Sequence, residues 1–388
     1  MTTLRIGAGL STDIHASRAA AEAADEATER FGLEQPNLVM TFLSQEHADF
    51  AEDVAGFLGE RFPAAAVIGC TGDGVIAGSR ELEEGSALSI FAAFLPDTQV
   101  RPFGLQFVET GDGVAEYVGW PDQLSPDGSL LLLADPFSFP SAHLLAHLND
   151  ERPGTLVVGG IATGARSPGD TRLFYGGKVF TEGAVAVAIS GRVRVQTLVS
   201  QGCRPVGSPS TVTRADRNVV FELGGRRALD VFADLWSKAD AKTRALLQSG
   251  PQIGRVIDEY KPEYEPGDFL VRPLVGSERE IGALVVGDLM EVGQTVQFHV
   301  RDPAAADDDL RLLLQGLPTH PGGALLFSCV GRGSNLFAQP DHDADLVSQM
   351  LGAPVAGFFC NGEIGPVGGK NFLHGMTASL ALFVDTAQ

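Results

Sequence analysis

Three stretches of this chain share one succession of signals, and that recurrence constrains the fold more than any other feature. Each stretch has an apolar run of strand length, an amphipathic helix, a second apolar run, a glycine-punctuated turn and a third apolar run. The first extends from Leu38 to Phe94, the second from Leu130 to Ile189 and the third from Ala324 to Val384. After its second run each shows G-x-x-x-x-G: Gly69/Gly74, Gly159/Gly164 and Gly357/Gly362. Short apolar runs bounded by turn signals read as buried strands, and their alternation with helices reads as parallel pairing. A repeat of about 60 residues is shorter than a domain, so the units are expected to share sheets and not to fold alone.

Between the second and third units the pattern changes. Val193–Val199 reads as a strand by alternation, and Gly202-Cys-Arg-Pro-Val-Gly207 as a turn. Arg226 to Leu247 reads as one helix, with Leu229, Phe232, Ala233 and Trp236 at helical spacing. Tyr260 to Gly267 reads as loop. Leu270–Val275, Ala283–Val286 and Thr295–Val300 read as antiparallel strands. Before the first unit, Ala16 to Phe31 reads as an Ala/Glu-rich helix, with N-caps on offer from Ser11 to Asp13. The expected fold class is α/β, with mixed sheets built from repeated β-α-β-turn-β units in two associated halves. The domain boundary is expected between residues 225 and 226, giving domains 1–225 and 226–388.

Charge narrows the partners. Forty-nine acidic residues against 28 basic ones leave a net charge of −21. Such a surface repels phosphate backbones and anionic lipid, so neither nucleic acid nor a membrane surface is an expected partner. The four cysteines, Cys70, Cys203, Cys329 and Cys360, form no C-x-x-C pair, which argues against structural zinc. No leader pattern opens the chain, and no apolar run approaches the roughly 20 residues that span a bilayer. A cytoplasmic protein with reduced thiols is expected.

The chemistry concentrates in Pro354–Lys370 and the following His374. A short apolar run, Val355 to Phe359, breaks there into a glycine-rich turn holding Cys360, Glu363 and Lys370. Glu363 reads either as a ligand-binding carboxylate at a strand's C-terminal edge or as a cap on the turn's own N–H groups. Cys329 and Cys360 end the first and second strands of the third unit. They read either as a thiolate ligand or nucleophile beside His374, or as small buried hydrophobes. Arg332, set between glycines, suits a bidentate grip on a carboxylate ligand or a pairing with Glu363. Arg301 and Asp302 read as a structural pair at a strand end, next to His299. His143 and His147 share a helix face but lack the carboxylate or Cys motif of a metal site. Gly365 to Asn371 falls one residue short of a phosphate loop and has no Ser or Thr after the Lys. No nucleophile elbow supports hydrolase chemistry.

Taken together, several stretches resemble the FIST family, the tandem N- and C-terminal FIST domains of bacterial sensory proteins. They are Ser11-Thr-Asp13 with the Ala-rich helix, Ile68-Gly-Cys-Thr-Gly-Asp-Gly74, and Gly202-Cys-Arg-Pro-Val-Gly207 with Val212-Thr-Arg214. The C-terminal half adds Phe298-His-Val-Arg-Asp302, Ser328-Cys-Val-Gly-Arg-Gly333 and Gly357-Phe-Phe-Cys-Asn-Gly-Glu-Ile-Gly-Pro366 with His374. The resemblance implies a sensory module for small ligands, with amino acids or similar small carboxylates as the expected class. The expected ligand site lies between the glycine-rich turns and comprises Cys329, Arg332, Gly333, Cys360, Asn361, Gly362, Glu363 and His374. Some relatives of this kind carry haem and sense nitric oxide; here His299 and His374 are the candidate haem ligands, although no cofactor is the first expectation. A third reading is an enzyme acting on a small carboxylate or thioester, with Cys as nucleophile and His374 as base. No kinase, cyclase or receptor segment is read in the chain. Output is therefore expected through a separate partner such as a histidine kinase or a cyclic-dinucleotide enzyme. One departure stands out. The N-terminal turn of such proteins commonly reads Gly-Glu-Ile, but here it is Gly74-Val75-Ile76, so only the C-terminal turn keeps its carboxylate, at Glu363.

Overall fold

Continuous apolar runs, not alternating ones, mark strands covered on both faces. Leu38–Ser44, Ala66–Gly72, Ser129–Ala134, Gly323–Cys329, Val355–Cys360 and Thr377–Asp385 are such strands, with every residue buried. The computed structural model describes residues 3–109 and 115–387. Its architecture is α/β, with mixed sheets made of β-α-β-turn-β units.

In each unit the first two strands run parallel and a helix joins them. Leu38–Ser44 pairs with Ala66–Gly72 through helix Ala51–Arg61. Ser129–Ala134 pairs with Leu156–Ile161 through Ser141–Glu151. Gly323–Cys329 pairs with Val355–Cys360 through His342–Leu351. A third strand then returns antiparallel beside the first: Leu88–Phe94, Ala184–Gly191 and Thr377–Asp385.

The stretch expected as a glycine-rich turn is a two-stranded hairpin in each unit, and no unit keeps its own. The hairpin Val75–Ala77/Arg80–Leu82 of the first unit joins the sheet of the third. The hairpin Leu173–Tyr175/Lys178–Phe180 of the second joins the first. The hairpin Glu363–Val367/Lys370–His374 of the third joins the second. Gly78-Ser79, Gly176-Gly177 and Gly368-Gly369 form the two-residue turns, with positive φ at every one of these glycines. That is the backbone a tight hairpin needs. On its far side each sheet gains a further strand, Arg5–Ser11, Thr98–Glu109 and Val193–Gln201 respectively, and the second sheet carries Ala115–Val118 beyond it. The three sheets therefore share one strand order.

Two of the sheets bury an aromatic cluster. Phe42 stacks on Phe358 with centroids 4.9 Å apart, and Phe327 meets Phe42 edge-on at 6.4 Å. Helix Ala16–Thr28 packs through Ala16, Ala19, Ala20, Ala23, Ala24 and Ala27, all buried. Among the described residues no helix is long and apolar enough to cross a membrane.

The compact units interleave along the chain. One comprises Met1–Val199, Arg311–Leu373 and Thr377–Gln388; the other Ser200–Leu310 with His374–Met376. In the second unit six antiparallel strands close on themselves, because Cys203–Asp216 pairs with both Thr295–Arg301 and Val219–Leu223. Two sequence expectations change here. Gly202–Gly207 is no turn: Cys203 to Val206 pair in register with Phe298 to Arg301, and Gly207, at φ +71°, lies in a bulge of a strand that runs on to Asp216. The expected single helix is two, Ala228–Lys238 and Ala241–Gln248. Asp240 breaks it by capping the second, accepting from the Thr243 N–H at 2.7 Å.

Candidate functional site

The glycines of the three units explain how close the strands come. A Cβ on Gly357 would overlap the carbonyl oxygen of Leu326, and one on Gly159 that of Leu132. Gly69 meets Thr41 in the same way. Beyond these glycines the turns interlock: Phe359 N–H donates to Gly74 O and Ile161 N–H to Gly362 O, each at 3.0 Å. Asp73 N–H donates to Thr163 Oγ1 at 2.8 Å, and that hydroxyl donates to Phe359 O. The residue that starts each hairpin faces a register partner one place after the first glycine. Val75 faces Phe358, Leu173 faces Cys70, and Glu363 faces Gly160. Two of these three buried positions are apolar; the third is a carboxylate.

Glu363 is fully buried. Its Oε2 accepts from Thr377 Oγ1 at 2.7 Å and Thr377 N–H at 3.1 Å. Its Oε1 accepts from Gly362 N–H at 3.2 Å and Cys360 Sγ at 3.6 Å, and Cys329 also hydrogen-bonds the carboxylate. Burial pushes the Glu363 carboxyl up to about 7, with the Thr377 bonds opposing. Burial, reinforced by the Glu363 charge, holds the Cys360 thiol well above its ordinary value. Cys329 and Cys360 are register partners on adjacent parallel strands, and neither is in a disulfide.

Arg332 does not pair with Glu363. Its Nε and Nη2 donate to Asp343 Oδ2 and Oδ1 at 2.6 and 2.8 Å, with both side chains wholly buried. Ser328 Oγ donates to Asp343 at 3.1 Å, and His342 Nδ1 lies 3.1 Å from its Oδ1. The His342 ring stacks on Phe337 at 3.5 Å, and the Arg332 guanidinium lies 5.3 Å from the same ring's centre. Burial alone would raise the Asp343 carboxyl; the Arg332 charge and hydrogen bonds overcome it and hold the group well below the carboxylate range. Glu81, on the hairpin borrowed from the first unit, is pushed up to about 8 by burial and by the Asp343 charge. Its Oε1 accepts from Ala344 N–H at 2.9 Å, while its Oε2 and Arg332 Nη1 have no hydrogen-bond partner.

Sequence reasoning missed Asp343 and Glu81. A signal for Asp343 existed. It sits on the buried face of helix His342–Leu351 with Ala344, Leu346 and Val347, and a charge on an apolar helix face needs a partner. Glu81 gave none, because its burial depends on a sheet edge far away in sequence.

The other candidates are dispersed. Gly333 is buried with φ +48°, against the Glu83 carboxylate, which accepts from Ser334 N–H and Oγ at 2.8 Å. Asn361 is exposed, and its N–H donates to Ile161 O at 3.3 Å. His374 is buried and belongs to the second compact unit. In that unit Asp302 pairs with Arg204 at 3.0 Å and with Lys242 at 3.5 Å. A neighbouring strand brings Arg204 opposite Val300, so its side chain reaches the carboxylate. His299 is fully buried, its Nδ1 3.0 Å from Gln297 O and its ring 4.9 Å from Phe269. The ring also fills the space a Cβ would take on Gly254. An axial haem ligand must face an open slot wide enough for the macrocycle, and His299, packed in this way, does not fit that role.

His342 also lines a cavity of about 430 Å³, together with Ser79, Arg80, Arg311, Asp341 and Asp345. The cavity therefore adjoins the buried Arg332–Asp343 pair through a single imidazole.

Residues 37–226 match the FIST N domain and residues 228–366 the FIST C domain. Domains of this kind are associated with ligand binding in sensory signal transduction. An uncharacterized protein of Mycobacterium tuberculosis is 46% identical over 387 residues, covering 98% of this chain and 100% of its own. An uncharacterized protein of Mycobacterium bovis is 42% identical over 387 residues, covering 98% of this chain and 99% of its own.

Proposed function

The chain belongs to the FIST family, and on that premise we propose that it is a non-catalytic cytoplasmic sensor of an amino acid or similar small carboxylate. Its output passes to a separate signalling protein, such as a histidine kinase or a cyclic-dinucleotide enzyme. The observation that carries this reading is the charge pattern of the 430 Å³ cavity. Arg80 offers a guanidinium fork, which suits a carboxylate, and Arg311 adds a second positive charge to the wall. Asp341 and Asp345 offer the opposite charge, which suits an ammonium group. The volume lies in the range of small-molecule sites.

Arg332 enters this reading as the buried frame behind the cavity and not as a contact, and Glu363 is not among the residues that line it. Arg332 is engaged by Asp343, and Asp343 holds His342 on the cavity wall. The shared strand order of the three sheets supports reading the units as an internal repeat. In that repeat only the third copy carries a carboxylate at the hairpin start, which fits a single specialised site.

Calorimetric titration with L-alanine, L-glutamate, succinate and acetate tests the proposal. An amino acid site binds one or both of the first two and loses about tenfold or more in affinity in Arg80→Gln and in Asp345→Asn. Succinate binding that survives Asp345→Asn assigns the site to plain carboxylates. Absence of binding by all four compounds overturns the reading.

A further inference from the structure

Cys329 and Cys360 stand opposite each other at the C-terminal ends of two adjacent parallel strands. Neighbouring strands run about 4.8 Å apart, which lies inside the Cα separation a disulfide spans. Register partners project to the same face of a sheet. Groups that favour a thiolate gather around Cys329. Gly331 N–H points at its Sγ at 3.4 Å, and the Arg332 guanidinium is close enough to interact with its charge; the Glu363 carboxylate, whose charge opposes a thiolate, accepts a hydrogen bond from the thiol. The same carboxylate accepts from Cys360 Sγ at 3.6 Å. One potential base thus touches both thiols. For Cys70 burial is the cause that raises the thiol.

We infer that Cys329 and Cys360 are a hydroperoxide-responsive dithiol, with Glu363 as the proton acceptor for both. Cys329 keeps 4% of its surface exposed and Cys360 none, so Cys329 meets the oxidant and Cys360 resolves. Glu363 takes the proton of the Cys329 thiol, and the thiolate attacks one peroxide oxygen. The O–O bond breaks, hydroxide leaves, and it recovers the proton from Glu363 as water. Cys329 is then a sulfenic acid. Cys360 passes its proton to Glu363, and its sulfur attacks Cys329 Sγ. The S–O bond breaks, and the departing hydroxide takes that proton as a second water. Two thiols lose two electrons in total, and one hydrogen peroxide becomes two waters.

The disulfide ties together the ends of the two strands that lead into the Arg332 loop and the Glu363 hairpin. It also removes both thiol donors from Glu363. This inference stands on the strand register and the thiol surroundings, and it holds whether or not the cavity takes an amino acid.

The test exposes the reduced full-length protein to hydrogen peroxide without denaturant, then maps it by non-reducing proteolysis and mass spectrometry. The expected product is a peptide pair linking Cys329 to Cys360 and lighter by two hydrogens, with Cys70 and Cys203 still open to alkylation after unfolding. In Cys360→Ser the reaction stops at a Cys329 sulfenic acid that dimedone traps. Glu363→Gln, with its fold checked by near-ultraviolet circular dichroism, slows linkage about tenfold or more. Failure to find the linked peptide, oxidation of all four cysteines at one rate, or linkage only after denaturation overturns the proposal. A wild-type linkage rate in folded Glu363→Gln overturns the part given to the carboxylate. If Cys360→Ser does not fold, the wild-type map alone decides.

Discussion

Arg332 and Asp343 form a two-pronged ion pair, 2.6 and 2.8 Å long, in which neither side chain has exposed surface. Removing two such charges from water costs several kcal/mol each, and only good geometry with further hydrogen bonds offsets it. Ser328 and His342 supply those further bonds on Asp343. The pair connects a loop that follows the strand Gly323–Cys329 to the start of the helix His342–Leu351. It thereby fixes the imidazole on the cavity wall.

Asp343→Asn leaves Arg332 buried without its counter-charge. The unfolding free energy should fall by about 3–5 kcal/mol, measured by urea denaturation. Replacing both residues, as Arg332→Met with Asp343→Leu, should recover most of that loss. A single-variant loss below about 1 kcal/mol would mean that water already reaches the pair.

Stability should fall as pH rises through neutrality. The folded Glu363 carboxyl titrates at about 7, against an ordinary value of 4.5. A raised folded value means that its contribution is fully present below the unfolded value and is lost as pH rises through the folded one. Glu81, pushed up to about 8, acts in the same direction. Between about pH 5 and pH 8 the unfolding free energy should drop, with Glu363 responsible for on the order of 3 kcal/mol. Glu363→Gln keeps the acceptor for Thr377 and should flatten much of that slope. An unchanged slope in this variant would place the titrating group elsewhere.

Glycine substitutions should separate close packing from turn strain. Gly357→Ala drives a methyl group into the Leu326 carbonyl and should remove more than about 4 kcal/mol or prevent folding. Gly368→Ala has open space around the new atom and only its φ of +58° against it. That strain should cost about 1–2 kcal/mol. Thermal melts of the two variants check the ordering.

His299 should hold no haem, since its ring is enclosed by Gly254 and Phe269. Absorbance spectra before and after addition of haemin should show no Soret band that is lost on gel filtration of His299→Ala. A band that does depend on His299 would reverse this expectation.

The apolar runs alone determined the parallel strand pairs, their crossover helices and the returning third strands, because burial on both faces of a sheet is written locally as an unbroken run. The first glycine of each G-x-x-x-x-G was equally local in its meaning, since a strand-to-strand approach that excludes Cβ admits no other residue. The motif residues around Cys329 and Glu363 also marked the right family. Only the tertiary structure decided where each hairpin goes. Three-residue strands such as Val75–Ala77 and Leu173–Tyr175 carry too little periodicity to name a partner, and the free sheet edge that receives them lies in another unit. The same holds for charge pairing. Arg332 meets Asp343 and not Glu363 because a helix start lies beside its loop, and Asp302 meets Arg204 because a distant strand runs alongside. Local pattern sets which atoms must be buried; which opposite charge then comes within hydrogen-bond reach depends on how the whole chain closes.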